Sequence, residues 1–195
     1  MKTTSALGFT LIEMLVTLGM MAIVLALGVP AFKDTVRGST LTADINEFIA
    51  ALNFARSEAI KRGMRVTVAK TGTYWEQGWQ VFTDNPTYGT VDGTDAVLRV
   101  HGALQTLYSL RGNNNFTNYI SYQPSGVSNN PGSFALCYHS SGSINDSGNP
   151  TKTSARLIIV SILGRITLAT DNNNDGVLEK INSNGTTPLT DCTDP

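Results

Sequence analysis

From Phe9 to Phe32 the chain is apolar at almost every position, and Glu13 is its single charge. That run is long enough to span a bilayer, because about 20 helical residues cover the roughly 30 Å hydrocarbon core. Gly28-Val29-Pro30 interrupts it. Proline removes a backbone donor and crowds the preceding turn, so a kink or local melting is expected there. Helical periodicity then resumes. Leu41, Ile45, Phe48, Leu52, Ala55 and Ala59 step by 4, 3, 4, 3, 4, which is one apolar stripe on an amphipathic helix. Asp34, Arg37, Asn46, Arg56 and Lys61 fall off the stripe. Gly63 is placed to cap the helix, with Lys61 and Arg62 against the dipole in its last turn.

After Gly63 the period changes from 3.6 to 2. "MRVTVAK" (64–70), "WQVFT" (79–83), "VLRVH" (97–101), "NYISY" (118–122) and "FALCY" (134–138) read as short strands. "ARLIIVSIL" (155–163) and "RITLA" (165–169) close the series, joined at Gly164. Turn-rich segments separate them, and "DNPTYGTVDGTD" (84–95) and "SSGSINDSGNPTKT" (140–153) read as polar loops. The pattern predicts an α+β chain with a β-meander or sandwich-like head. No internal repeat is evident.

A net charge of −1 excludes a global basic field for nucleic acid. Charge is unevenly placed, however. Residues 33–70 hold seven Lys/Arg against four Asp/Glu, and residues 171–195 hold five acids against one Lys. Cys137 and Cys192 are the only cysteines. In a cytosolic protein they would be free thiols, whereas in an exported domain an even count favours a disulfide.

Glu13 then needs an explanation, since a charge at mid-membrane costs on the order of 2.5–3.5 kcal/mol and less towards the end. If the chain is cut after Gly8, Phe9 gains an α-ammonium four residues from Glu13, on the same helix face. That ammonium could neutralise Glu13 in its own chain or in a neighbour during assembly, making the carboxylate a register device. Two plainer readings compete. One is a cleaved secretory signal with Lys2, an apolar core and "ALG" at 26–28 as the small-residue site; the other is a simple anchor. The acid at Glu13 and the polar "TTSALG" ahead of the run argue against the first.

"GFTLIEMLV" (8–16) resembles the type III signal of type IV pilins and type II secretion pseudopilins. The resemblance implies cleavage between Gly8 and Phe9 by a prepilin peptidase/methyltransferase, N-methylation of Phe9, and Glu13 as the assembly carboxylate. "ALNFARSEAIKRGMRVTV" (51–68) and "ARLIIVSILGRITLA" (155–169) are similar to the GspH/FimT/FimU branch, with its Arg-Ser-Glu-Ala helix end and late Gly-Arg turn. The middle, 70–135, is not diagnostic. What the resemblance implies is the type IV pilin fold, a long N-terminal helix packed on an antiparallel β head. The expected divisions are a leader over 1–8, a transmembrane and assembly helix over 9–30, an amphipathic helix over 31–63, and a periplasmic head over 64–195. The expected location is the bacterial inner membrane, single-pass, and then a surface filament. Expected partners are other minor pilins, the major pilin and the assembly platform. With the head in the periplasm, Cys137 and Cys192 are expected to be joined.

Catalytic motifs are lacking. His101 and His139 belong to no metal-spaced motif, and "QPSGV" (123–127) and "SSGS" (140–143) are turns rather than nucleophile elbows. The chain is therefore expected not to be an enzyme and to need no cofactor, with calcium as the one alternative. Asp171, Asn173 and Asp175 have the 1, 3, 5 spacing of a calcium loop and Gly176 stands at its sharp turn. The twelfth position, where a bidentate Glu is wanted, is Asn182, and an Asn/Asp-rich turn is the competing reading. In FimT-like proteins the resemblance suggests a Gly-Arg-x-Arg stretch for DNA. Here Gly164 and Arg165 match, but Thr167 replaces the second Arg and Asp171 and Asp175 follow closely, so DNA is disfavoured. Arg56, Lys61, Arg62 and Arg65 form a second basic cluster, expected as a solvated helix end or, alternatively, a face for anionic neighbours in a filament. The leading expectation is a minor pilin that primes or enters a type IV pilus, with the tip as one position for it. A type II secretion pseudopilin and a DNA-binding competence pilin are the alternatives.

Overall fold

A computed structural model describes residues 9–139, 154–182, 185–190, 192 and 195. The expected leader, with Gly8, and the loop 140–153 lie outside the described residues. Helix α1 spans Leu11–Arg62 and remains helical through Gly28 and Pro30, so the backbone there does not melt. Two compact units divide the chain at Arg37/Gly38.

The described residues of the first unit are helical from Leu11 onwards. Every large apolar side chain described from Phe9 to Val29 is between 46 and 80 % exposed. Among the described residues α1 is the one helix long and apolar enough to cross a membrane.

The second unit begins where the apolar stripe begins. Leu41, Ile45, Phe48, Leu52, Ala55 and Ala59 are all buried. Phe48 is the centre of an aromatic cluster, meeting Trp75, Trp79 and Phe134 edge-on at 5.6, 5.0 and 4.8 Å between centroids. Such edge-to-face pairs add about 0.5–1.5 kcal/mol each beyond burial. Gly63 ends the helix in the left-handed region at φ 65°, and its N–H donates to the Ala59 carbonyl at 3.1 Å. A residue with a Cβ would be strained at that angle.

Among the described residues ten strands follow: β1 (Val66–Lys70), β2 (Trp79–Thr83), β3 (Val97–His101), β4 (Tyr108–Gly112), β5 (Tyr119–Tyr122), β6 (Gly132–Tyr138), β7 (Ala155–Val160), β8 (Ile166–Leu168), β9 (Glu179–Asn182) and β10 (Gly185–Pro188). They form two four-stranded antiparallel sheets, β3-β2-β1-β5 and β4-β6-β7-β8, and the hairpin β9-β10. Strands β4, β9 and β10 have no counterpart among the expected strands. Ile162 and Leu163, expected as the end of a strand, lie instead in the turn between β7 and β8.

Sheet β4-β6-β7-β8 is covered on both faces. Phe134, Leu136, Ile158 and Val160 join the core under α1. Their alternates Ala135, Cys137, Ala155 and Leu157 meet Ala169, Leu178, Leu189 and Cys192 in a second cluster. The period of 2 thus delivers two cores from one sheet.

Candidate functional site

Phe9 and Glu13 are exposed at the start of α1. Thr10 and Glu13 bond reciprocally: the Glu13 N–H donates to Thr10 Oγ1 at 3.3 Å, and the Thr10 N–H donates to Glu13 Oε2 at 3.5 Å. This is a capping box, with Thr10 as the cap and Glu13 three residues on. It satisfies two of the donors that a helix start leaves open, which matters most where no water can do so. Glu13 therefore has a local role besides any pairing with a Phe9 ammonium. The T-x-x-E spacing was there to be read in the sequence, but attention to Glu13 as a membrane charge passes over it.

Arg56, expected as part of a solvated cluster, is a tie between two distant turns. Its Nε donates to the Gly126 carbonyl and its Nη2 to the Leu163 carbonyl, both at 3.0 Å. The β7–β8 turn is further closed by Gly164 N–H to Ser161 O at 2.8 Å and Ser161 N–H to Arg165 O at 3.0 Å. Gly164 takes φ 73°, and a Cβ there would strike the Gly126 carbonyl and the Arg56 guanidinium. The rest of the cluster is also engaged. Lys61 and Arg62 pair with Glu58 at 3.3 and 2.6 Å, and the Arg62 bond holds the Glu58 carboxyl below its ordinary range. Arg65 donates to Ser121 Oγ at 3.0 Å and lies 4.0 Å over the Tyr88 ring.

Arg165 is exposed in the same turn, and its backbone N–H donates to Ser161 Oγ at 3.2 Å. Thr167, where the resemblance asks for a second arginine, sits in β8 opposite Ile159.

Asp171, Asn173 and Asp175 do converge on one turn, closed by a bridge between Thr170 and Glu179. Their oxygens accept the turn's own amides: Asp171 Oδ2 from Gly176 at 3.0 Å, Asn173 Oδ1 from Asp175 at 2.9 Å and Asp175 Oδ1 from Val177 at 2.8 Å. Glu179 is buried, and its Oε2 accepts from the Asn172 N–H at 3.2 Å. The turn is closed by these bonds, and no cluster of three or more His, Cys, Asp or Glu suited to a metal occurs among the described residues.

Cys137 and Cys192 are disulfide-bonded, with Cα atoms 6.2 Å apart. The C-terminal segment is held at two further points, by the Leu189 N–H to Leu178 O at 2.8 Å and by Ser133 Oγ donating to Pro195 O at 2.7 Å.

Neither histidine faces an open site. His139 Nε2 is 2.7 Å from Ser109 Oγ, and both residues are buried beyond the reach of a substrate. A cleft of about 360 Å³ is lined by Arg65, Asp84, Tyr88 and Gln123 among others. Its carboxylate is already spent. Asp84 accepts from the Thr67 hydroxyl and the Gly89 N–H, and burial pushes its carboxyl above the usual range.

An exposed, membrane-length apolar helix at the N-terminal side of an antiparallel β head, whose core it enters through its own second half, defines the pilin class of protein. The chain belongs to the family described as Type II transport protein GspH, which matches residues 44–164. Two crystal structures of the type IV minor pilin FimU from Pseudomonas aeruginosa (strain PAO1) share its fold, at 18% identity and with TM-scores of 0.54 and 0.53. Each covers 78% of this chain, and the matches take in 94% and 99% of the FimU chains. No curated protein sequence matches the chain.

Proposed function

We propose that the chain is a minor pilin: a non-catalytic subunit that enters, or primes assembly of, a type IV pilus. The observation that carries this reading is the first unit. The large apolar side chains described from Phe9 to Val29 are 46–80 % exposed and find no cover among the described residues. Lipid and then neighbouring helices supply that cover, at about 25 cal/mol per Å² of apolar surface removed from water. In this reading the peptidase cuts between Gly8 and Phe9 and methylates Phe9. Residues 9–30 hold the subunit in the inner membrane with the head in the periplasm, and Glu13 meets a Phe9 ammonium as the helix docks. The partners are other minor pilins, the major pilin and the assembly platform.

The test is a strain lacking this protein, complemented with the wild type. The expected result is loss of surface pili without complementation, recovery with it, and a mature N-terminus at methylated Phe9 by mass spectrometry. Unchanged pili together with lost enzyme secretion would overturn this reading in favour of a secretion pseudopilin, the reading that the family's description supports. DNA capture is disfavoured, because Arg165 has Thr167 in place of a second cation and Asp171 and Asp175 follow in the chain.

A further inference from the structure

His101, at the end of β3, lies flat on the indole of Trp79 from β2, with centroids 3.9 Å apart and an angle of 3° between planes. Its two ring nitrogens both face oxygens. Nδ1 is 2.7 Å from the Gly102 carbonyl, and Nε2 is 3.1 Å from Glu47 Oε2 on α1. A carbonyl and a carboxylate can only accept. A neutral imidazole has one N–H, so one of these two contacts would set a lone pair against a lone pair. Both contacts become hydrogen bonds only when the ring carries both protons, and the ring is then a cation held over an indole face.

Asp44 stands one turn before Glu47 on α1, half-buried, and its Oδ2 is buried without a hydrogen bond. Burial first, and then the neighbouring Glu47, push the Asp44 carboxyl above its usual range, while His101 pulls it down. The groups in contact with the ring are thus Glu47 from α1, the Trp79 indole from β2 and a carbonyl just after β3, with the Asp44 carboxyl near enough to feel the ring's charge.

We propose that Asp44, Glu47, His101 and Trp79 form a proton-operated latch, which fastens the head segment of α1 to β2 and β3 when the ring is charged and slackens when it is neutral. Histidine is the side chain whose ordinary titration falls between pH 5 and 8. The latch therefore couples the seat of the core helix to the acidity of the medium around the head. The sign follows from the proton count. A native state that holds more protons on this cluster than the unfolded chain gains stability as pH falls.

The test uses the full chain in detergent micelles and reads three signals. In the first, tryptophan emission is followed from pH 8.5 to 5.5. The expected result is a loss of emission on acidification in the wild type, as the charged ring quenches Trp79, and no such loss in His101→Gln. In the second, ¹⁵N shifts of the His101 ring are followed, which needs no substitution. They are expected to show both nitrogens protonated at the acid end and one at the alkaline end. In the third, the melting-temperature advantage of wild type over Glu47→Gln is expected to be larger at pH 5.5 than at pH 8.5. A ring with one proton throughout, an emission change that survives in His101→Gln, or an equal advantage at both pH values would overturn the latch.

Discussion

Removal of the Arg56 guanidinium should loosen two turns at once. Arg56→Ala deletes the half-buried bond to the Gly126 carbonyl and the more exposed one to the Leu163 carbonyl. Hydrogen bonds that involve a charged group contribute about 1.5–3 kcal/mol each when sheltered, and less in water. Taking the low end for the first and about half of that for the second gives roughly 2–2.5 kcal/mol. For a domain of this size each kcal/mol moves the melting temperature by about 2–4 °C, so a fall of about 5–10 °C is expected. Circular dichroism melting of the purified chain in detergent measures it. Arg56→Lys keeps the charge but not the fork, and should retain at most one of the two bonds. Gly164→Ala acts on the same turn through its φ of 73° and the blocked Cβ position. The Arg56→Ala/Gly164→Ala double variant should therefore lose less than the two single losses added together. A melting temperature for Arg56→Ala within about 2 °C of wild type would refute the tie, because a solvated surface arginine is worth no more than that.

Glu13→Ala should leave processing and insertion intact, since losing a membrane carboxylate eases insertion, yet the subunit should vanish from sheared pili; undiminished yield in that fraction would make the carboxylate dispensable. Reducing the Cys137–Cys192 bond, which closes a sequence separation of 55, should cost about 4 kcal/mol by chain entropy, read as the difference in urea midpoint with and without reductant. Burial raises the Asp84 carboxyl above its unfolded value, so its contribution to stability is present at low pH and is lost as pH rises from about 4 through the folded value. Asp84→Asn should flatten that part of the stability profile, and unfolding series at pH 4 and pH 7 compare the two slopes. Calcium at 1 mM should raise the melting temperature by no more than about a degree, because Asp171, Asn173 and Asp175 each already give one oxygen to the turn's own amides and Asn182 withholds the bidentate carboxylate a calcium loop uses; a larger rise would assign the turn to the ion.

What the sequence made legible is what repeats at short range. The stripe from Leu41 to Ala59 and the cap at Gly63 are visible because a helix brings residues three and four apart onto one face. The strands around Val66, Val81, Ile120, Phe134 and Ile158 are visible because short runs of apolar, β-branched and aromatic residues stand between turn signals. Strand β4 hides its nature. Arg111 reads as a surface charge in mid-strand, but it pairs with Glu76 and lies 4.1 Å over the Tyr74 ring. Those partners are more than 30 residues away in sequence, and no local period announces them. Arg56 fails for the same reason, since its two carbonyls lie 70 and 107 residues away. The capping box at Thr10 is the opposite case, a local signal that a competing explanation for Glu13 obscures. For the acidic turn, spacing correctly brings Asp171, Asn173 and Asp175 together, but spacing alone does not say whether amides or an ion take their oxygens.

The bond between Cys137 and Cys192 also makes a closed circuit of the chain. Strands β7, β8, β9 and β10 and the 171–176 turn all lie on the ring between the two cysteines. A protease that nicks the backbone anywhere on that ring opens it without releasing a fragment. The arm before the nick stays continuous with β6, and the severed arm after it stays tethered through the disulfide at Cys192. A head that meets a protease can thus be clipped once and still migrate as one species until the disulfide is reduced. Damage to its outer strands becomes a local event rather than the loss of a subunit.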